Sequence, residues 1–84
     1  MKKEYVYTPS DEVCSQEIYL RVDADSDIVE EIRFTGGCHG NTQGIAALVK
    51  GMKREEVIAR LRGIRCKKKS TSCPDQLARA LEQM

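Results

Sequence analysis

The chain has 84 residues and a formal net charge of +1, from 14 lysines and arginines against 13 aspartates and glutamates. This length predicts one small domain over residues 1–84, and the nearly balanced charge offers no bulk attraction to nucleic acid or to an anionic membrane. The sequence has no stretch suited to a signal-peptide core or a membrane span, so we expect a cytoplasmic protein with reduced thiols.

Three short strands are predicted in the first half of the chain, over residues 4–8, 17–22 and 28–35. The second strand alternates cleanly between apolar and polar residues, as a half-buried strand does. A turn rich in Asp and Ser at residues 23–27 separates it from the third. The predicted inner faces carry Ile18, Leu20, Val22, Ile28, Ile32 and Phe34. Because consecutive strands are joined by short turns, we expect an antiparallel meander.

The hydrophobic period changes to that of a helix after a glycine-rich loop at residues 36–40. A first helix is predicted to begin with Asn41 or Thr42 as its cap and to stop at Gly51. A second helix is predicted over residues 53–62. The residues expected to face inward from these two helices are Ile45, Leu48, Val49, Met52, Val57, Ile58 and Leu61.

A third helix is predicted to begin at Ser72, which fits the cap position. Pro74 fits the first turn, and Asp75 stands three residues after the cap, as in a capping box. Its apolar face carries Leu77, Ala78, Leu81 and Met84. Strands followed by helices predict an α+β domain, with a three-stranded antiparallel meander followed by three helices packed on one face.

Four cysteines, Cys14, Cys38, Cys66 and Cys73, lie at the edges of the predicted elements. In a cytosolic chain such a count indicates a metal site or thiol chemistry rather than disulfides. Their positions differ by 24, 28 and 7, so the sequence contains no local CxxC motif. Their placement is more informative, because the edges of a meander packed on helices can converge at one end. Cys73 begins a helix and Cys38 precedes one, where free N–H groups and the helix dipole stabilise a thiolate.

Several of these residues have a plainer interpretation beside the functional one. Cys14 and Cys66 could be small buried hydrophobes. His39 adjoins Cys38 and is either a ligand, a proton carrier or an exposed loop residue. The lysine run at residues 67–69 is either a solvated loop or a positive field that offsets thiolate charge or contacts a partner.

The run T-S-C-P-D at residues 71–75, together with G-G-C-H-G-N at residues 36–41 and the four cysteines, resembles the TSCPD family. That family contains small four-cysteine proteins and a similar domain at the C-terminus of many cobalamin-dependent ribonucleotide reductases. The resemblance covers essentially the whole chain. It implies a protein partner, a ribonucleotide reductase or another redox enzyme. Because 84 residues cannot hold a nucleotide site, a cobalamin site and a radical centre, the label of ribonucleoside-diphosphate reductase would reflect only a shared domain.

Residues 13–23, 28–34 and 37–51 are also similar, more distantly, to the U-type iron–sulfur cluster scaffolds. That family has a strand-strand-strand-helix order and three cysteines that bind a cluster or zinc. The resemblance implies that Cys14, Cys38 and Cys73 converge.

The chain departs from the scaffold pattern at several positions. Gln16 stands where the scaffolds carry an aspartate that keeps the site labile, and Ser72 stands where they carry a histidine. The lysine-rich connector replaces their proline-rich chaperone-recognition stretch, and Cys66 is an additional thiol. Four thiolates would make a closed S₄ site, which suits structural zinc or a retained cluster better than cluster transfer.

Three functions therefore remain as hypotheses. The first is an accessory module in which a Cys₄ site, with zinc as the expected metal, stabilises a small domain with a modest apolar core. The second is an iron–sulfur cluster scaffold or carrier. The third is a thiol redox module in which Cys66 and Cys73 reduce a disulfide of the partner. No catalytic triad, phosphate loop or dinucleotide fingerprint is present in the sequence.

Overall fold

The fold consists of a small sheet followed by helices. The computed structural model describes residues 2–9, 15–36, 39–65 and 70–84. In chain order its elements are β1 (Lys2–Tyr7), β2 (Ser15–Asp23), β3 (Val29–Gly36), α1 (His39–Val49), α2 (Arg54–Leu61) and α3 (Cys73–Glu82). The strands lie in the order β1-β2-β3 and both pairs are antiparallel. The predicted α+β meander followed by three helices is confirmed.

The central strand β2 supplies one face of the core. Ile18, Leu20 and Val22 are buried, as their alternation predicts. Tyr19 and Arg21 alternate with them on the opposite face, where Arg33 of β3 lies 4.7 Å above the Tyr19 ring. The sheet therefore has an apolar face under the helices and a charged face away from them.

The inner face of β3 differs from the prediction at its first residues. Val29 is fully buried, whereas Ile28 is half-buried and forms an isolated bridge with Lys53. Between two neighbouring residues of β2, the pairing partner changes from Glu31 to Val29, so Glu30 is the extra residue of a β-bulge. Because a bulge shifts the alternation by one residue, Val29 takes the inward position that the sequence assigned to Ile28.

Helix α1 begins at His39, three to four residues earlier than a cap at Asn41 or Thr42 predicts. It ends before Gly51, whose φ of +91° is a left-handed conformation that terminates helices. Thr42 and Val49 are buried, and their seven-residue separation places them on one face of the helix. Leu48 is 75% exposed, so its predicted inward position is wrong. Its side chain leaves the helix about 100° away from that of Val49, off the buried face.

Helices α2 and α3 complete the core. Helix α2 follows Lys53 and is succeeded by Gly63, with φ of +92°. It packs on α3, which in turn packs on β2, while α1 packs on β3. The buried apolar cluster consists of Ile18, Leu20, Val22, Val29, Ile32, Val49, Val57, Leu77, Ala80 and Leu81. Among the described residues, no helix is long and apolar enough to cross a membrane.

Substitution of a buried leucine is expected to cost much more stability than substitution of an exposed one. Leu20→Ala should lower the free energy of unfolding by about 2–5 kcal/mol, because a fully buried side chain leaves a cavity. The matched change Leu48→Ala should alter the free energy of unfolding by only about 0.5 kcal/mol, since that side chain is mostly exposed. Denaturant unfolding of both variants measures the difference. Equal costs would contradict the described packing of α1 on the sheet.

Candidate metal centre

Cys73 occupies the first turn of α3 and is half-buried. Ser72 is the cap of this helix, and its hydroxyl accepts a hydrogen bond from the Asp75 N–H at 3.2 Å. Pro74 follows in the first turn, where its missing N–H leaves no intrahelical bond unmade. The predicted helix start is therefore confirmed. Cys73 therefore lies at the N-terminus of α3.

Four buried polar residues surround this turn, namely Thr71, Ser72, Asp75 and Gln76. The Thr71 hydroxyl donates to Asp75 Oδ2 and accepts from Gln76 Nε2 at 2.8 Å. The Gln76 Oε1 atom accepts a hydrogen bond from the Tyr7 hydroxyl of β1 at 3.1 Å. We call these four residues the α3 turn network. Buried polar groups joined in this way hold a single arrangement, because breaking any bond leaves an unsatisfied group out of water.

The Asp75 carboxylate is the centre of the α3 turn network and is fully buried. Its Oδ1 accepts from the Gly63 N–H at 2.6 Å, and its Oδ2 accepts from Arg79 Nε at 2.8 Å as well as from Thr71. Burial acts to raise the pKa of the Asp75 carboxyl, but the hydrogen bonds from Thr71, Gly63 and Arg79 outweigh it and hold that pKa below its ordinary value. The carboxylate is therefore ionised at neutral pH.

The α3 turn network joins the start of α3 to the end of α2. Gly63 donates to Asp75, and the carbonyl oxygen of the next residue, Ile64, accepts from the Ser72 hydroxyl at 2.7 Å. The two ends of the connector between α2 and α3 are thus held against each other. Cys66 belongs to this connector, two residues after Ile64 in the sequence.

The other two cysteines, Cys14 and Cys38, lie close in sequence to paired residues of the sheet. Ser15, the residue after Cys14, pairs with Gly36, which stands two residues before Cys38. Gln16 is the extra residue of a β-bulge, because the next pair is Glu17 with Thr35. Bulges redirect side chains at sheet ends.

The start of α3 lies at this same end of the sheet. The Tyr7 hydroxyl, at the end of β1, bonds to Gln76 near the start of α3. Tyr5, earlier in β1, instead bonds through its hydroxyl to Gln83 beyond the last turn. Because β1 ends where β2 begins and β3 ends, the described residues near the four cysteines in sequence, namely Ser15, Gly36, Ile64 and Ser72, lie toward one end of the molecule.

Of the four predicted ligands, the structure places Cys73, whereas Cys14, Cys38 and Cys66 lie outside the described residues. The lysine run at 67–69 also lies outside them. His39 starts α1, and its side chain is not described. Within residues 2–9, 15–36, 39–65 and 70–84, no three His, Cys, Asp or Glu side chains form a group suited to a metal ion.

Within the α3 turn network, Gln76 was not singled out from the sequence, and Thr71 was singled out only as part of the T-S-C-P-D run. Asp75 was singled out as part of that run and of a capping box, but the bonds of its carboxylate to Gly63 and Thr71 were not predicted. The adjacency of Thr71, Asp75 and Gln76 to the predicted helix start was the one available signal. It did not reveal that these polar side chains are buried.

Removal of the Thr71 hydroxyl is expected to destabilise the protein. Thr71→Val keeps the shape of the side chain but removes one of the donors to Asp75 and the acceptor that the Thr71 hydroxyl offers to Gln76. The expected loss in the free energy of unfolding is about 1–3 kcal/mol. The matched control is Thr35→Val, at an exposed position of β3, which should change the free energy of unfolding by only about 0.5 kcal/mol. Urea unfolding measures both, and a neutral Thr71→Val would show that the network does not stabilise the fold.

A family model described as the TSCPD domain matches residues 1–84, the full length of the sequence. No curated protein and no solved structure matches the chain.

Proposed function

The chain belongs to the TSCPD domain family, and on that premise we propose that it is a small metal-binding accessory module. Its four cysteines, Cys14, Cys38, Cys66 and Cys73, would hold one zinc ion. The observation that supports the proposal is that the described residues near these cysteines, in the Ser15–Gly36 pair and the α3 turn network, lie toward one end of the molecule.

The donor set fits zinc. Four thiolates from four separate segments give a closed tetrahedral site, which is the arrangement of structural zinc. A bound zinc ion would supply a crosslink between those segments and no open position for a substrate. The chain's own contribution would be to bring these segments together, with Cys73 presented from the first turn of α3.

We further propose that the module works in the cytoplasm beside a larger redox enzyme, with a ribonucleotide reductase as the expected partner. The support is the resemblance of the T-S-C-P-D run and the four cysteines to the domain that such reductases carry. Zinc in a Cys₄ site has no redox chemistry of its own. The module would therefore act as a structural part of the complex with its partner and would not catalyse a step.

Elemental analysis of protein purified without oxygen tests this function. We expect one zinc per chain in the wild type and loss of bound zinc in Cys38→Ser, whereas Leu48→Ala, a distant surface variant, should retain it. Iron with acid-labile sulfide and a broad absorbance near ~400 nm would instead support the cluster scaffold. Metal-free protein with a reversible Cys66–Cys73 disulfide would support the thiol redox module.

A further inference from the structure

A carboxylate two residues after a proposed ligand is the first side chain to suspect as an additional ligand, and Asp75 holds that position relative to Cys73. Its surroundings argue against ligation. The side chain is fully buried, and both oxygens already accept hydrogen bonds, Oδ1 from Gly63 after α2 and Oδ2 from Thr71 before α3 and Arg79 on α3. Metal binding by Asp75 would require these bonds to break, and the buried Thr71 hydroxyl would lose this acceptor.

The same bonds determine where the Cys73 turn lies. Through Gly63, the carboxylate ties the first turn of α3 to the end of α2, and through Thr71 it ties that turn to the residue before its cap. The Arg79 guanidinium, one turn further along α3, bonds to the same carboxylate and orients it. A shift of the carboxylate would therefore shift the turn that carries Cys73.

We propose that Asp75 is the positioning residue of the metal centre, which holds the Cys73 turn in place for ligation without binding the metal. This inference rests on the proposed zinc site. Outer residues that fix a ligand's position are worth roughly 10–100-fold in metal affinity. Asp75 would contribute in this way through the α3 turn and the end of α2.

The test compares Asp75→Asn with Val29→Ala in the full chain. Asparagine preserves the size of the side chain and an oxygen acceptor for the Gly63 N–H. It removes the negative charge and replaces the Oδ2 atom, which accepts from both Thr71 and Arg79, by an NH₂ group. Val29→Ala creates a cavity in the core at the far end of β3 from Gly36, so it serves as the control for general destabilisation. Both variants are studied well below their melting temperatures.

Two measurements on the metal-loaded proteins separate positioning from ligation. Zinc withdrawal by a chromophoric chelator should be about 10-fold faster or more from Asp75→Asn than from the wild type, and nearly unchanged in Val29→Ala. The absorption bands of the cobalt(II)-substituted protein should keep their positions in Asp75→Asn, because the ligand set is the same. Displaced bands would make Asp75 a ligand, and equal withdrawal rates in the two variants would make its role merely structural. Either result overturns the inference.

A third measurement needs no metal. In the metal-free chain, amide hydrogen exchange at Gly63 should be faster in Asp75→Asn than in Val29→Ala, because the acceptor of that N–H is weakened. Equal exchange at Gly63 would overturn the positioning role. If the wild type bound no zinc while Gly63 exchange behaved as expected, the metal-binding function would be the part that fails.

Discussion

Removal of the metal with a strong chelator is expected to lower the melting temperature of the protein substantially. Among the described residues the buried apolar cluster has only ten members, and a domain of 84 residues is often marginal without a further link. A zinc ion bound by four distant segments contributes its binding free energy to folding. A loss of only ~3 kcal/mol would lower the melting temperature of such a domain by about 12–24 °C.

Cys38→Ser is the companion variant for this experiment. In zinc-containing buffer it should melt near the temperature of the chelated wild type, and the chelator should lower that temperature no further. Thr35→Ala, close to Cys38 in sequence but exposed on β3, should respond to the chelator as the wild type does. An unchanged melting curve after demonstrated removal of the metal would show that the site does not stabilise the fold.

A second large effect is expected on the rate of metal exchange. Combining Cys66→Ala with Gln16→Asp should convert a firmly held zinc ion into an exchangeable one. Gln16 is the extra residue of a β-bulge beside the Ser15–Gly36 pair and is exposed, so its position suits a side chain directed at the proposed site. A carboxylate oxygen is a harder donor than a thiolate and opens the site to water or to an acceptor thiol.

The rate at which a chromophoric chelator withdraws zinc measures this effect. We expect withdrawal from the double variant to be faster by about 10-fold or more, given how strongly ligand changes alter metal sites. Gln43→Asp, which adds a carboxylate at an exposed position of α1, controls for the added charge. Equal rates in the wild type and the double variant would mean that donor identity does not set lability, and the cluster-scaffold interpretation would gain support.

The order of elements could be predicted from the sequence because its signals are local. Alternating residues of β2, the helix cap at Ser72 and the left-handed glycine after α1 each act over a few neighbouring residues. All three appear in the structure at the expected places. The arrangement of three strands followed by three helices follows from them.

The inner face of β3 could not be predicted, because it depends on a bulge. The extra residue Glu30 shows no distinguishing sequence feature, and the bulge is defined only by the pairing of β3 with β2. The exposure of Leu48 has a similar origin. Helical periodicity predicted an apolar face on α1 that included both Leu48 and Val49. In the structure only Val49 of these two is buried, and this limit depends on how α1 packs.

The four-cysteine site stays a prediction from the sequence, whereas the hydrogen bonds around Cys73 come from the structure alone. The sequence identified four cysteines and their positions at the ends of elements. It did not identify the bonds of Asp75 to Gly63 or of Ser72 to Ile64, because each joins residues eight or more positions apart. Such contacts depend on how α2 and α3 pack against each other, which helical periodicity does not predict.

X-ray absorption spectroscopy at the zinc edge, on protein purified without oxygen, tests the proposed Cys₄ site most directly. We expect a single shell of four sulfur atoms at ~2.3 Å from the metal. Cys66→Ala should reduce this shell to three sulfurs with one nitrogen or oxygen atom, whereas Asp75→Asn should leave all four sulfurs in place. A wild-type spectrum with fewer than four sulfurs, or protein that binds no zinc, would contradict the proposal.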